Sequence, residues 1–433
     1  MLDAKYAKYA IYIMYCIVYV ATIDSLLDDN YTVVTKAVIS YDKDFSIMNF
    51  FVCLAFLLVL FRWFILEKME RTFRSYFIQM TFIIYVTPVI LSFASFSHRY
   101  SLEFFLASMI FSLMFMYCVG KIKIRLKCVK TYDFNQKKYS GIIDNVFFLL
   151  SLLIVFVLIK TIGDFSLSID LADVYDIRSN FAAHSNIYMT VFKSALGGVV
   201  FPAAILKYLE EKKICYAIMF CVLEICLFLL AKDKTYLFMP IICFGLFLLR
   251  NRLTKNVSVI FYSMSSVLIL LCLLSFVDVY SNLFFNIIVR RIAVIPAWLS
   301  YLYFDFFYDN EKLMFLQDTI IIRNFFISPY DLNIREIISF EYFQGMVSGP
   351  NNGMIGIAFA NLGWLGMIVF PIFITVLVSI YENTFEGCSE LVLMMLALSV
   401  SQILINDSFT STSFIYSLLL ILLFSPFIKK QHE

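Results

Sequence analysis

Residues 281–298, SNLFFNIIVRRIAVIPAW, open the one long polar interval of the sequence. The interval continues through the aromatic stretch YLYFDFFYDN at 301–310 and closes with EYFQGMVSGPNNGMIG at 341–356. On both sides of it the chain is a nearly continuous series of apolar segments. We therefore interpret about 279–352 as a large loop that a membrane-embedded scaffold holds at one face of the bilayer.

The composition sets the class of protein. Of the 433 residues, 62% are apolar and 15% are charged, and the mean hydropathy is +0.86. This apolar excess is too large for one globular core. A chain in hydrocarbon satisfies its backbone in helices or closed barrels, and the long unbroken runs lack the alternation of barrel strands. The sequence predicts an all-α polytopic integral membrane protein, with 1–433 as a single transmembrane domain.

Twelve apolar runs approach the ~20 residues that cross a hydrocarbon core of ~30 Å. The first follows Lys5 and Lys8 and has no cleavage pattern, so we expect an uncleaved first helix. The large loop separates the ninth and tenth runs. The runs lie at about 9–27, 45–66, 76–97, 103–120, 145–162, 187–209, 214–231, 235–250, 257–278, 353–380, 389–405 and 412–428.

The lysine and arginine distribution predicts the orientation. Most of the 34 basic residues fall in segments on the side of both termini. Because such segments stay in the cytoplasm, we expect both termini to be cytoplasmic. The predicted outward-facing loops are those at about 28–44, 163–186, 232–234, 279–352 and 406–411.

Several chemistries are disfavoured by composition. The ten cysteines lie in apolar runs or predicted inner segments, which indicates no disulfide framework. The three histidines, His98, His184 and His432, lack metal-site spacing, so we expect neither a metal nor a cofactor. A net charge of +2 gives no indication of nucleic acid. Two matching halves, typical of many transporters, are not visible.

Arg290 and Arg291 are the first candidates for chemistry. They lie in NIIVRRIAVIPAW, a helix-like apolar segment that we expect to end at Pro296. A guanidinium pair at a membrane surface suits bidentate binding of phosphate or pyrophosphate oxygens. The alternative is a pair of snorkelling arginines that anchor an interfacial helix.

Lys232 and Lys234 flank Asp233 in LLAKDKTYLF. The hairpin of the seventh and eighth runs, 214–249, is short for two crossings of ~20 residues each. Its tip is therefore expected at or below the outer headgroups, where the two lysines could bind a lipid phosphate. A tight turn that binds bulk lipid headgroups is the alternative.

Further candidates lie in DVYDIRSNFAAHSN, in the aromatic stretch and in the seventh run. Arg178 could bind an anion and His184 could act as general acid or base, although lone loop histidines are usually solvated. Tyr301 could stack on a sugar ring and Asp305 could bind hydroxyls, whereas an interfacial aromatic belt explains the same pattern. Glu224 is either functional or a neutral carboxyl bonded to a neighbouring helix.

The segment SGPNNGMIGIAFANLGWLGM at 348–367 closes the loop. Asn351 and Asn352 lie in a turn where their side chains can cap the following helix and contact a substrate. Gly356, Gly363 and Gly366 are expected to form a small-residue face that permits close helix packing.

In its order of elements the chain resembles the Wzy-type O-antigen and capsular polysaccharide polymerases. The resemblance covers the layout of a dozen spans and four local patterns. These are an Arg-bearing outer loop before the sixth span (Arg178), K-x-K-T-Y at 232–236, R-R-x-x-x-x-P at 290–296, and G-P-N-N-G-x-x-G-x-x-F-A-N-x-G-x-x-G at 349–366.

The resemblance implies a function on the outer face of the bacterial cytoplasmic membrane. Such polymerases transfer a growing glycan from undecaprenyl pyrophosphate to the non-reducing end of a newly flipped, lipid-linked repeat unit. It implies that Arg290, Arg291, Arg178 and Lys234 neutralise the pyrophosphate, and that His184, Asp305 or Glu341 is the base. A chain-length regulator and a flippase are the partner proteins it suggests.

Two other functions fit the sequence. An O-antigen ligase shares the long outer loop and the arginines. A lipid-linked oligosaccharide flippase, or another transporter that forms no bond, would handle the same lipid, but its charged residues should line a cavity within the spans.

Overall fold

The structure is a computed structural model that describes most of the chain. The described residues are 4–27, 30–32, 38–40, 43–66, 70–97, 99–124, 136–162, 186–253, 258–277, 285–314, 328–343, 353–406 and 412–429. They are almost entirely helical. Two short strands, β1 (Asn30–Thr32) and β2 (Val38–Ser40), pair antiparallel with Tyr31 opposite Ile39.

Fourteen helices follow one another in the described part of the chain. They are α1 (Ala4–Leu26), α2 (Ile47–Ile65), α3 (Phe73–Ser95), α4 (Leu102–Lys121), α5 (Gln136–Ile162), α6 (Ile187–Glu210), α7 (Ile214–Ala231), α8 (Lys234–Leu253), α9 (Ser258–Leu274), α10 (Phe285–Val294 continuing as Ile295–Asp309), α11 (Ile334–Phe343), α12 (Met354–Thr384), α13 (Glu390–Asn406) and α14 (Thr412–Ile428). Side-chain oxygens cap the first turns of α2, α3, α4 and α6, from Ser46, Thr72, Ser101 and Asn186.

The prediction of a multi-pass α-helical membrane protein is confirmed. Among the described residues, nine helices are long and apolar enough to cross a membrane, namely α1 to α8 and α12. The apolar helices α9, α13 and α14 are shorter. Each of the twelve predicted apolar runs coincides with one of these helices. Within the predicted large loop, the structure has two further helices, α10 and α11.

Four π-helical segments interrupt the described helices: Phe61–Ile65, Phe82–Val86, Leu196–Val200 and Phe285–Val294. In three of them a proline stands two residues after the segment, at Pro88, Pro202 and Pro296. Proline has no N–H and its ring clashes with the carbonyl of the preceding turn, and the wider π turn relieves that clash. The expectation that Pro296 ends its helix is therefore wrong, because the chain continues as α10 to Asp309.

The chain divides into two compact units. Unit 1 comprises Met1–Ile124, Val257–Ser379 and Ser401–Thr410. Unit 2 comprises Arg125–Asn256, Ile380–Val400 and Ser411–Glu433.

In unit 1 the buried helix is α3, and α1 covers it with tyrosines. Tyr12, Tyr15 and Tyr19 recur at helical spacing on one face of α1 and are at most 1% exposed. Tyr15 donates to the carbonyl of Ile83 at 3.1 Å, within the π-helical turn, and Tyr12 shares a 2.9 Å hydrogen bond with Thr87. The two hydroxyls thus pair with a carbonyl of the widened turn and with the threonine that directly follows it, and both pairs are buried in the unit.

The helix α12 is broken near its start, at Gly363 (φ 57°, ψ −138°). Its first part, up to Leu362, is almost wholly buried in unit 1. A Cβ at Gly366 would clash with the carbonyl of Ala358, and one at Gly356 would lie 2.9 Å from Tyr303. The predicted small-residue face is thus wrong in part, because Gly363 bends the backbone while Gly356 and Gly366 permit close approach.

In unit 2 a buried polar cluster joins α5, α6, α14 and the α6–α7 turn. The Asp144 carboxylate is 1% exposed. It accepts from Lys207 Nζ (3.4 Å), Tyr208 Oη (3.0 Å) and Lys213 Nζ (2.5 Å). Lys207 also donates to the Phe427 carbonyl at 2.8 Å. Because each charge has an opposite partner, the cluster can remain in a low-dielectric interior.

Candidate functional site

The predicted arginine pair lies on the π-helical part of α10, in unit 1. Arg290 is 5% exposed, whereas Arg291 is exposed. Successive helical residues point in different directions, so the two guanidinium groups have different surroundings. The structure therefore gives Arg290 an interior position and Arg291 a surface position, and it does not arrange them as one clamp.

A polar junction lies about ten residues further along α10, where Ser300 meets α3 and the start of α12. Tyr85, on the π-helical turn of α3, shares a 3.0 Å hydrogen bond with Ser300 and accepts from the backbone N–H of Ile355 at 2.9 Å. A Cβ at Gly353 (φ 66°) would lie 2.8 Å from Ser300 Oγ. Only glycine fits both the backbone and the space at that point.

Further along α10, Asp305 accepts two tyrosine hydroxyls, one from each of two helices. Tyr301 donates to Oδ1 at 3.1 Å, and Tyr342 of α11 donates to Oδ2 at 2.6 Å. Burial raises the pKa of both tyrosines, and the adjacent Asp305 carboxylate raises them further. Asp305 itself is exposed, so its remaining lone pairs face outward as hydroxyl acceptors.

The aromatic stretch packs mainly into unit 1. Trp298, Tyr301, Tyr303 and Phe304 are at most 6% exposed. The Tyr301 ring stacks on Tyr100 with centroids 4.4 Å apart. One face of the ring predicted to stack on a sugar is therefore already covered within the protein.

Lys312 joins the end of α10 to the break in α12. Its ammonium donates to the carbonyls of Phe307 and Asn310 at the end of α10, and it lies 5.5 Å from the centre of the Phe359 ring. The backbone N–H of Leu313 donates to Ala360 O at 2.8 Å. Burial lowers the pKa of Lys312, and Asp309 opposes that shift. These contacts satisfy carbonyl groups at a helix end and at a helix break.

The predicted lysine turn lies in unit 2. Lys232 is 1% exposed and adopts a left-handed backbone (φ 48°, ψ 30°), and its Nζ lies 5.5 Å from the centre of the Phe228 ring. Lys234, the first residue of α8, is half-buried. Glu224 is fully buried in α7, and neither of its carboxyl oxygens has a hydrogen-bond partner among the described residues.

Four of the predicted site residues, Arg178, His184, Asn351 and Asn352, lie outside the described residues. Gly353 directly follows the asparagine pair, and a Cβ at this position would lie 2.8 Å from Ser300 Oγ and 3.3 Å from Tyr85 Oη. The asparagine pair is thus connected in sequence to the polar junction on α10.

Comparisons with protein-family models, with curated proteins and with solved structures find no match to this chain.

Sequence reasoning missed Tyr85, Tyr342 and Lys312. Tyr85 could have been suspected from Pro88 three residues later, because a proline inside an apolar run predicts a distorted turn where side chains change direction. Tyr342 and Lys312 carry no local pattern. Their roles follow from how α11 and the segment after α10 fold onto their neighbours.

Proposed function

We propose that this chain is a polysaccharide polymerase of the outer face of the bacterial cytoplasmic membrane. It joins oligosaccharide repeat units carried on undecaprenyl pyrophosphate by glycosyl transfer. The observation that carries the proposal is a buried arginine, Arg290, within the long polar interval of a multi-pass membrane protein. A guanidinium removed from water binds pyrophosphate oxygens more strongly than an exposed one.

The proposed topology has twelve spans with both termini in the cytoplasm. The nine long apolar helices and the shorter helices α9, α13 and α14 supply the spans. The helices α10 and α11 then belong to the outer loop between the ninth and tenth spans. For each of the three shorter helices to cross the membrane once, the bilayer must thin locally or the flanking residues must extend to the interface.

In the proposed reaction, Arg290 neutralises the departing lipid pyrophosphate. The bond between the anomeric carbon of the donor sugar and the pyrophosphate oxygen breaks, and a hydroxyl of the acceptor sugar forms the new bond. The hydroxyl proton leaves to a base, and the electron pair of the broken bond goes to the pyrophosphate. Charge stabilisation of such a leaving group supplies a large share of the rate enhancement.

The distance between Arg290 and Asp305 along α10 suggests a different role for Asp305. At 1.5 Å per residue, fifteen residues place Asp305 roughly 20 Å along the helix from Arg290. A general base must lie within ~3 Å of the proton that it removes. Asp305 is therefore proposed to bind glycan hydroxyls some sugars away from the bond that breaks, and not to act as the base beside Arg290.

The test uses cells from which this chain has been removed and to which a variant of it is supplied. Their surface polysaccharide is then separated on a gel. Arg290→Ala should leave single repeat units, and Arg290→Lys, which keeps charge but loses bidentate binding, should give a shortened ladder. Arg335→Ala, a half-buried arginine of α11 in the same interval, is the matched control and should restore full-length polymer.

Other patterns would assign the chain elsewhere. Long lipid-linked polymer that never reaches its final acceptor would indicate a ligase. Repeat units stranded on the cytoplasmic leaflet would indicate a flippase. A full ladder in cells without the chain would refute the polymerase proposal.

A further inference from the structure

Glu224 is a fully buried carboxyl group within the apolar helix α7. It is 0% exposed, and neither of its oxygens has a hydrogen-bond partner among the described residues. Titratable groups that interact with it electrostatically are Cys221, Cys243 of α8 and Asp233, none of which can carry a positive charge. Because an isolated carboxylate is very costly inside a protein, these surroundings favour the neutral acid, in which one oxygen holds a proton.

The register of α5 and α7 shows which residue of α5 lies at the level of Glu224. Three contacts follow one another along the two helices in the same direction: Asp144 with Lys213, Asn145 with Tyr216, and Phe147 with Phe220. Ser151 and Glu224 each lie one turn beyond the last of these pairs, on the same side of their helices. Ser151 is 0% exposed, and its hydroxyl has no hydrogen-bond partner within the described part of the chain. Two buried polar side chains thus share one level of unit 2.

The π-helical segment of α6, Leu196–Val200, lies on another side of this level. A Cβ at Gly197 would lie 2.8 Å from Leu227, which follows Glu224 by one turn. Pro202 has no N–H, so a carbonyl of the preceding turn lacks its usual donor, and no residue of the segment is titratable. Helices packed this closely suit a proton, which needs no cavity, better than a metal ion with about six oxygen ligands.

The two ends of α7 differ in their access to water. At one end Lys213, bonded directly to the Asp144 carboxylate, is 30% exposed. At the other end Tyr236 is 4% exposed, and a Cβ at Gly197 would lie 2.8 Å from its ring. Water therefore comes closer to Glu224 from the Asp144 end.

Two phenylalanines of α7 lie one turn on either side of Glu224. Phe220, on the Asp144 side, is 0% exposed, and its ring stacks on Tyr208 with centroids 5.7 Å apart. Tyr208 in turn donates to Asp144 at 3.0 Å. Phe228, on the side of the α7–α8 turn, is 6% exposed. On the Asp144 side, the Phe220 ring therefore lies between Glu224 and a hydrogen-bonded polar cluster.

We propose that Glu224 and Ser151 form a proton-binding site inside unit 2, and that its proton exchanges with water that enters from the Asp144 end of α7. In the exchange, a proton leaves a Glu224 oxygen for a water molecule and another proton returns, so the net charge is unchanged. Phe220 has to turn aside for that water to reach the carboxyl group, while Ser151 offers the water a hydrogen bond. The site does not depend on the proposed polymerase activity.

Infrared spectroscopy of the full chain in phosphatidylcholine nanodiscs tests the proton site. At pH 7 the wild type should show a carboxylic acid C=O band that is missing from Glu224→Gln, because ordinary carboxyl groups are ionised at that pH. In heavy water the band should shift as a deuteron replaces the proton. A wild type without the band, or a Glu224→Gln variant that retains it, would overturn the site.

The rate of the deuterium shift tests the route. Phe220→Ala and Phe228→Ala are matched, since each removes one ring at one turn from Glu224. We expect Phe220→Ala to speed the exchange on the order of tenfold, because no ring has to move aside, and Phe228→Ala to exchange like the wild type. Faster exchange in Phe228→Ala, or no change in Phe220→Ala, would overturn the route. If either alanine variant fails to fold, leucine at both positions replaces the pair.

Ser151→Ala tests the second member of the site. The acid band should remain but change its frequency, because the carboxyl group loses a hydroxyl from its surroundings. Thr161→Val removes a hydroxyl from the exposed end of the same helix and should leave the band where it is. An unmoved band in Ser151→Ala, or equal movement in the two variants, would remove Ser151 from the proposed site.

Discussion

The two ends of α7 carry a lysine in the same left-handed conformation but in opposite surroundings. Next to Lys212, which is exposed, Lys207 and Lys213 are paired with Asp144 and Glu211. At the other end Lys232 is buried against the Phe228 ring, and Glu224, two turns before it in α7, has no hydrogen-bond partner among the described residues.

The difference separates an exposed lysine beside a cluster of ion pairs from a lysine whose side chain is packed inside unit 2. At the Lys212 end, two lysines and a tyrosine donate to the one carboxylate of Asp144, and the left-handed lysine itself is exposed. At the Lys232 end the left-handed lysine is 1% exposed and packs against the Phe228 ring, so the disfavoured backbone is combined with side-chain packing. The first arrangement is expected to lose stability when its carboxylate is removed, and the second when its packing is changed.

The largest effect should come from Asp144→Ala. The substitution removes the acceptor of Lys207, which is 3% exposed, and of Tyr208. Breaking a buried pair in this way costs about 3–5 kcal/mol of unfolding free energy, because a buried charge loses its partner. Thermal unfolding in detergent, with the exposed neighbour Asn145→Ala as control, measures it. Equal losses in the two variants would mean that the cluster does not stabilise unit 2.

The adjacent glycines of α6 test the packing at the Lys232 end. Gly197→Ala places a Cβ 2.8 Å from Leu227 and Tyr236, and such overpacking costs about 1–3 kcal/mol. Gly198 has nothing within 4 Å of its Cβ position, so Gly198→Ala should be neutral or slightly stabilising. The unfolding temperatures of the two variants, measured under the same conditions, test this difference. Similar values would show that Tyr236 moves easily and does not fix the turn.

The left-handed lysines should respond to glycine with a gain in stability. Relief of the disfavoured conformation, less the entropy cost of glycine, gives about 0.5–1 kcal/mol for Lys212→Gly. Lys232→Gly gains the same backbone relief but loses the packing of a buried side chain against the Phe228 ring, so its gain should be smaller. Chemical unfolding of the two variants measures both values. A clear loss of stability in Lys232→Gly would mean that the Lys232 side chain stabilises the α7–α8 turn by more than its backbone conformation costs.

The sequence predicts the helices of this chain far better than it predicts their distortions. Unbroken apolar runs of span length have few alternatives to helix, so all twelve correspond to helices. Pro296 was expected to end its helix, but the chain widens into a π-helical segment and continues. In soluble proteins a helix can end at such a proline and expose its polar groups to water. Inside this unit the helix continues past the proline with a π-helical turn before it.

The candidate site was predictable in residue type but not in arrangement. Arg290 and Arg291 are adjacent in sequence and differ in burial, because the packing of α10 decides which one points inward. The short hairpin predicted a cationic tip, but the left-handed conformation of Lys232 follows from where α7 ends. Tyr342 reaches Asp305 only through the position of α11. Contacts between distant segments carry no local pattern that a single sequence reveals.

The smallest effect should come from Lys213→Ala, at the same cluster as Asp144. Lys213 is 30% exposed, so its pairs with Asp144 and Glu211 contribute only about 0.5–1 kcal/mol. Burial lowers its pKa, but hydrogen bonds to the two carboxylates outweigh burial, and the net pKa is raised. A lysine pKa that is higher in the folded state adds stability below the unfolded value of about 10.4, and this is lost as the pH rises through the folded value.

The difference in unfolding temperature between wild type and Lys213→Ala should therefore hold from pH 7 to about pH 10 and shrink above it. Unfolding curves for both proteins at pH 8, 10 and 11 check this. A difference that vanishes already at pH 8 would mean that Lys213 contributes no pairing energy. The stability of the polar cluster around Asp144 would then depend on Lys207, Tyr208 and Asp144 alone.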